Sequence, residues 1–269
     1  MPETILITGA STGIGRATAT LFHERGWNVV ATMRNQDNGV IADDRMMISR
    51  LDVVDRNTIE DSVSAAIENF GRLDVLVNNA GYGSFGILEA FTPDEIRAQF
   101  ETNVIGLLSM TQAVLPQMRR QGMGTVINIS SIGGLTTQPL SALYNGTKFA
   151  VEGLSEALSF ELAEVGIRIK LVEPGVIQTD FGGRSLHYRN NKSLVEYQSF
   201  IKKALTTLSK VPETGASPRV VAEVIWNAAT DGTDTLRYPA GEDAHVLLND
   251  RRRMSDETYL AEIRHRFGL

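Results

Sequence analysis

Ile5-Leu6-Ile7-Thr8-Gly9-Ala10-Ser11-Thr12-Gly13-Ile14-Gly15 runs from an apolar triplet through a glycine-rich turn into a segment of helical period. The triplet has the character of a short strand covered on both faces. The glycines let the backbone turn tightly and approach a pyrophosphate, whose charge meets free N–H groups and the positive end of a helix dipole. The spacing T-G-x-x-x-G-x-G is not the usual G-x-G-x-x-G fingerprint, and alone it is weak evidence, a tight turn without a ligand being the minority alternative.

Outward from this turn, short apolar runs alternate with longer helical segments. The runs are Ile5 to Ile7, Val29-Val30-Ala31, Met46-Met47-Ile48, Val75-Leu76-Val77, Val126 to Ile129 and Ile167 to Val172. Ile59, Val63, Ile67 and Phe70 mark one helix stripe, and Val151, Leu154, Leu158, Leu162 and Val165 another. Strands alternating with helices predict right-handed crossovers and an α/β doubly wound parallel sheet with helices on both faces. Such sheets bind ligands beyond the carboxyl ends of their strands. The pattern breaks between about residues 180 and 212, in a polar stretch holding His187, Tyr188 and Arg189 and then a helix near 194–208. Helices are expected again from about Ala244 and about Asp256.

Composition narrows the function classes. A chain of 269 residues is within reach of one core, so a single domain is expected. With 42% hydrophobic and 22% charged residues it reads as globular. The formal net charge of −6 argues against a nucleic-acid partner. The absence of cysteine excludes disulfides, thiolate catalysis and cysteine-bound zinc. The four histidines show no metal-ligand spacing, so no metal is expected. No apolar run approaches the roughly 20 residues of a membrane helix, and the N-terminus carries no secretion signal. A soluble cytoplasmic protein follows as the expectation.

Further motifs stand in register with the strands. Asn78-Asn79-Ala80-Gly81 follows the fourth run, and Asn103 lies in the next helix. Ser130-Ser131 ends the fifth run. Tyr144-Asn145-Gly146-Thr147-Lys148 gives Y-x-x-x-K, and Pro174-Gly175 with Thr179 gives P-G-x-x-x-T. Tyr144 and Lys148, four apart, project from one helix face. A free phenol titrates near pH ~10, and a nearby ammonium would have to lower it by about two to three units for work at neutrality. Taken together, these motifs over residues 4–181 resemble the short-chain dehydrogenase/reductase family, with its Rossmann-like sheet.

The resemblance implies an oxidoreductase that moves hydride between a carbonyl or alcohol and a nicotinamide cofactor. Tyr144 would be the acid/base, Ser131 would hold the carbonyl oxygen, Lys148 would bind the nicotinamide ribose, and Asn103 would position a water linking Lys148 to solvent. Gly9, Ser11, Thr12, Gly13, Ile14, Gly15, Asp52, Val53, Asn79, Ala80, Gly81, Pro174, Gly175, Val176, Ile177 and Thr179 would line the cofactor. An acidic residue ending the second strand would select NAD. Here Met33 and Arg34 stand there, so a 2′-phosphate meets no like charge and a guanidinium can pair with it, which favours NADP(H). Tyr82, Phe85, Leu135, Leu140, Phe181, Leu186 and Tyr188 are the candidate substrate wall. Residues 182–215 form a variable segment, and 238–269 a C-terminal extension similar to that of the 17β-hydroxysteroid and retinol dehydrogenase-like branch. That similarity favours a lipophilic substrate. A homodimer, or else a homotetramer, is expected through the helices carrying Asn103 and Tyr144. The rival readings are a β-ketoacyl carrier-protein reductase and a non-catalytic NADP(H) sensor.

Overall fold

Seven parallel strands build the main sheet: β1 (Thr4–Ile7), β2 (Asn28–Met33), β3 (Met46–Arg50), β4 (Val75–Asn78), β6 (Gly124–Ile129), β7 (Ile167–Pro174) and β9 (Arg237–Ala240). They lie in the order β3-β2-β1-β4-β6-β7-β9. The structure, a computed structural model, describes residues 2–36, 42–179, 185–209 and 215–269. The winding reverses between β1 and β4, so a crevice opens beyond their carboxyl ends, where the glycine-rich turn leaves β1.

The period-2 alternation of the strands divides the core between two faces. Ile5, Ile7, Val29 and Val77 point to one face, against Phe22 of α1 (Gly13–Glu24) and Val221 and Ile225 of α7 (Pro218–Thr230). Leu6, Val30, Leu76 and Val126 point to the other. There they meet Ile59 and Val63 of α2 (Arg56–Phe70) and Met110, Val114 and Met118 of α4 (Gly106–Gln121). α5 (Ala142–Ala163) joins this second layer through Val151 and Leu162. With both faces covered, the apolar runs of β1, β2, β4, β6 and β7 are buried as the sequence implies, whereas the edge strand β3 buries only Met46 of its run.

Three short strands were invisible to the apolar pattern. β5 (Gly83–Gly86) and β8 (Leu186–Arg189) pair in a separate two-stranded sheet, and neither contains an apolar run. β9 includes Pro239, which an edge strand tolerates. Asn103 lies in a helix as expected, though not in a regular α-helical turn. It sits in a π-helical segment, Glu101–Ile105, that joins α3 (Pro93–Phe100) to α4. The later helices, α6 (Val195–Leu208), α8 (Glu242–Arg253) and α9 (Asp256–Phe267), stand within about two residues of where they were expected. Phe267 of α9 packs with Ile201 and Ala204 of α6 and with Leu140, so the chain end closes on the loop before α5 as part of one domain.

Candidate active site

The glycine turn is held open from behind by two side chains. Thr8 Oγ accepts from the amides of Asn79 (2.9 Å) and Ala80 (3.0 Å). Asn79 Nδ2 in turn donates to the carbonyls of Thr8 (2.8 Å) and Gly9 (3.1 Å). Gly9 and Gly13 have left-handed φ of 68° and 56°, which L side chains adopt only with strain. A Cβ at Gly15 would collide with the Gly9 carbonyl and stand 2.6 Å from Asn79 Nδ2. Thr12 caps α1 with its backbone only, without a side-chain hydrogen bond. The turn is thus a cradle of backbone at a helix N-terminus, an arrangement that can hold an anion. A groove of about 810 Å³ continues past Gly13, Arg16, Thr179 and Arg219.

The other cofactor candidates surround this cradle. Arg34 is exposed directly after the buried Met33. Asp52 Oδ1 accepts from Val54 N at 3.2 Å, so it also shapes the local turn, and Val53 is buried against Gly106. Gly81 passes close to Asn103, with a virtual Cβ 3.1 Å from its Oδ1. The Pro174-Gly175 turn is fixed by a residue the sequence reading missed: Asp243 of α8 accepts from Val176 N at 2.7 Å and fills the space a Gly175 side chain would need. Ala216 clamps the next residues through Val176 O and Gln178 N, both at 2.9 Å. These residues fit a dinucleotide, with glycine backbone for phosphate, an exposed guanidinium beside the second strand and a braced loop on the far wall.

Ser131, Tyr144 and Lys148 meet at the carboxyl end of β6. Ser131 caps the short turn Ile132–Gly134 and accepts from Gly133 N at 3.0 Å. The Tyr144 ring and the Ser131 hydroxyl converge on Gly133, and Ser131 acts on the phenol to lower its pKa. Asn145 locks the Ser131 turn onto α5, donating to the carbonyls of Gly133 (2.7 Å) and Thr136 (3.0 Å). Gly133 lets the parts approach, since a Cβ there would stand 3.3 Å from the Tyr144 ring. Lys148 Nζ donates to the Ile129 carbonyl at 2.7 Å and lies 5.8 Å from the Tyr144 ring centroid.

The ionisation of this pair differs from the sequence expectation. Burial pushes the Tyr144 phenol above its ordinary value, and the Ser131 hydrogen bond only partly offsets this. The net direction is therefore opposite to the lowering the sequence predicts, because burial outweighs it. The Lys148 ammonium meanwhile donates to the Ile129 carbonyl. Burial drives Lys148 itself down to about 8, with Glu152 opposing.

Asn103 is tied on all sides. Its Oδ1 accepts from Tyr82 N (3.1 Å), and its Nδ2 donates to Tyr82 O (2.8 Å) and Thr147 Oγ1 (3.1 Å). Behind it, Asn78 Nδ2 donates to Asn128 Oδ1 (2.9 Å), and Asn128 Nδ2 to Ser155 (2.8 Å). This network was also missed. Its signal was present: Asn78 and Asn128 break apolar strands at positions that stand opposite each other in the sheet.

The candidate substrate residues divide. Phe85 stacks on Tyr144 with ring centroids 5.6 Å apart. Leu186 and Tyr188 pair with Gly83 and Phe85 across the small sheet, and Tyr82 precedes it. Leu135 ends the Ser131 turn. Leu140, with a left-handed φ of 67°, turns elsewhere. It lines an apolar cavity of about 920 Å³ with Ile87, Phe149, Tyr197 and Phe200, a cavity that none of Ser131, Tyr144 and Lys148 borders. Phe181 lies outside the described residues.

Comparison with known proteins places these observations. The family model described as short chain dehydrogenase matches residues 3–189. The chain is 42% identical over 229 residues to an uncharacterised oxidoreductase of Schizosaccharomyces pombe, covering 84% of this chain and 94% of that protein. It is 37% identical to the 3-ketodihydrosphingosine reductase of Bacteroides thetaiotaomicron, with 92% and 91% covered. A short-chain dehydrogenase from Streptomyces avermitilis superposes with a TM-score of 0.81 at 35% identity, covering 94% and 93%. ElxO, solved with NADP bound, has a TM-score of 0.72 at 28% identity, covering 89% and 98%. A 3-ketoacyl-(acyl-carrier-protein) reductase from Brucella melitensis, complexed with NADH, has a TM-score of 0.72 at 26% identity, covering 88% and 96%.

Proposed function

Because the chain belongs to the short chain dehydrogenase family of oxidoreductases, we propose that it interconverts a lipophilic ketone or aldehyde and its alcohol with NADP(H). The cofactor, when bound, supplies or accepts the hydride. Everything else falls to the chain's own side chains. Ser131 holds the substrate oxygen by a hydrogen bond that strengthens as negative charge develops there. Tyr144 gives its proton to that oxygen in reduction and takes it back in oxidation. Lys148 anchors the nicotinamide ribose and supports the phenolate. The Asn103 side chain is committed to Tyr82 and Thr147, so any water it holds for Lys148 must bind its main-chain carbonyl.

The observation that carries this reading is the convergence of the Ser131 hydroxyl and the Tyr144 ring on Gly133, one helical turn from the half-buried Lys148. NADP(H) is preferred because Arg34 is exposed where a carboxylate would select NAD; relatives holding NADP and NADH leave both open. The lipophilic substrate is supported by Phe85 over the Tyr144 ring and by the relative named for reducing 3-ketodihydrosphingosine. We assign selection of that substrate to the segment 182–215, and assembly to a homodimer through α4 and α5. Among the described residues no helix is long and apolar enough to cross a membrane.

The test is NADPH oxidation against aliphatic, aryl, steroid and sphingoid ketones, with NADH in parallel. Tyr144→Phe is expected to lose at least about a hundredfold in kcat, the lower end of acid–base contributions, while NADPH fluorescence reports unchanged binding. Turnover preserved in Tyr144→Phe, or preferred with NADH, would overturn the corresponding part of the reading.

A further inference from the structure

Tyr144, Lys148, Glu152 and Glu156 recur every four residues along α5 and so form one stripe. Beyond Lys148 this stripe enters a cluster to which the reaction above gives no task. Glu152 is 3% exposed, and Glu173 of β7 is 0% exposed. Arg237 reaches in from β9 with its Nε 2.9 Å from Glu152 and 3.9 Å from Glu173, while its other end takes Glu156 at 2.7 Å. Ser130 Oγ, Glu152 Oε1 and both Glu173 oxygens are buried, with no hydrogen-bond partner among the described residues. Gly134 leaves them room, since a Cβ there would stand 2.7 Å from Ser130 Oγ and 2.8 Å from Glu152 Cγ.

Two buried carboxyls share one close guanidinium, so only one of them is well compensated. Arg237 is nearer to Glu152, so Glu152 is the better compensated of the two. Burial and then Glu152 push Glu173 up to about 7, with Arg252 of α8 and Arg237 working against the rise. Apolar side chains would fill this space without the cost of desolvating charges. A role for the charge itself is therefore the better explanation. Lys148 is the group that gains from it. Burial lowers the ammonium, and Glu152 opposes that fall.

We propose that Glu152 is a positioning residue, the buried counter-charge that keeps Lys148 protonated, with Arg237 fixing its carboxylate and Glu173 sharing that guanidinium at the longer distance. The inference rests on the reading of Lys148 given above, but its test needs neither cofactor nor substrate. Trace acetylation of the full chain with acetic anhydride between about pH 6 and 10, read at Lys148 by peptide mass spectrometry, follows the amine's own titration. Glu152→Gln moves the midpoint down by about one pH unit, the effect of losing one nearby charge in a partly screened site. Glu152→Asp, which keeps the charge on a shorter arm, moves it about half as far. Glu173→Gln, whose carboxyl stands on the neighbouring strand and meets Arg237 only at 3.9 Å, shifts it less than Glu152→Gln does. Near-ultraviolet circular dichroism identifies the folded variants. An unmoved midpoint in folded Glu152→Gln, or in Glu152→Asp where the Gln variant does not fold, overturns the proposal. A shifted midpoint in a protein that reduces no carbonyl counts against the proposed function alone.

Discussion

Glu173 holds its proton up to about 7 where a free carboxyl would release it near 4.5, chiefly because the strand around it is buried. Between those values the folded chain binds more protons than the unfolded one, so stability falls as pH rises through the window. The contribution is complete below about 4.5 and absent above about 7, with a ceiling of about 3 kcal/mol. Gln mimics the protonated carboxyl. Glu173→Gln is therefore expected to melt with wild type near pH 5 and several degrees above it at pH 8, as scanning fluorimetry would read. Lys148 has the opposite sign. Its value is lowered to about 8, so the penalty for burying the ammonium stands in full below that pH and is relieved as pH rises toward 10.5. The comparison therefore stops at pH 8. A melting difference that is the same at both pH values would mean that Glu173 is ionised throughout.

The glycine turn makes the same kind of case for an element. Gly15 lies in the first turn of α1, where Gly→Ala ordinarily stabilises a helix by up to about 1 kcal/mol. Here a methyl would meet the Gly9 carbonyl and Asn79 Nδ2, both part of the brace that shapes the cradle. The sign reverses. Gly15→Ala is expected to lower stability by about 1–3 kcal/mol, the usual range for overpacking, and to weaken NADPH binding at least about tenfold, since a phosphate site depends on aligned N–H groups. Calorimetry with a binding titration checks both, and an Ala variant of higher melting temperature with full affinity would refute the argument. This turn was legible because a strand, glycines and a helix are local signals, and so were the two-sided burial of the sheet and the Tyr144–Lys148 spacing. The parts that were not legible depend on pairing across the chain. Asp243 reaches Val176 from 67 residues away, and Arg237 reaches Glu152 from 85. β5 and β8 are strands only because they find each other. No local period encodes such partners, and the same holds for the phenol's upward shift, which follows from how the fold buries it.

For the molecule as a whole, the outer face of α5 sets the next expectation. Phe149 is 45% exposed and Phe160 74%, with the small, exposed residues Gly146, Gly153 and Ala157 on the same side of a 22-residue helix. At 1.5 Å per residue that face runs for roughly 33 Å, with small residues that let another helix come close. A two-fold axis across it would place this face against its own copy, covering both phenylalanines in one isologous contact. The inner face of the same helix carries Tyr144 and Lys148, so the contact would also stiffen the catalytic pair. Sedimentation equilibrium at micromolar concentration is expected to give a homodimer. Phe160→Glu, which sets a charge against its copy, is expected to give a folded monomer with NADPH affinity retained and kcat reduced. A wild-type monomer would exclude the contact. A dimer unaffected by Phe160→Glu would move it to another face, and the 920 Å³ cavity beside Phe149 and Tyr197 is then the next apolar surface to test.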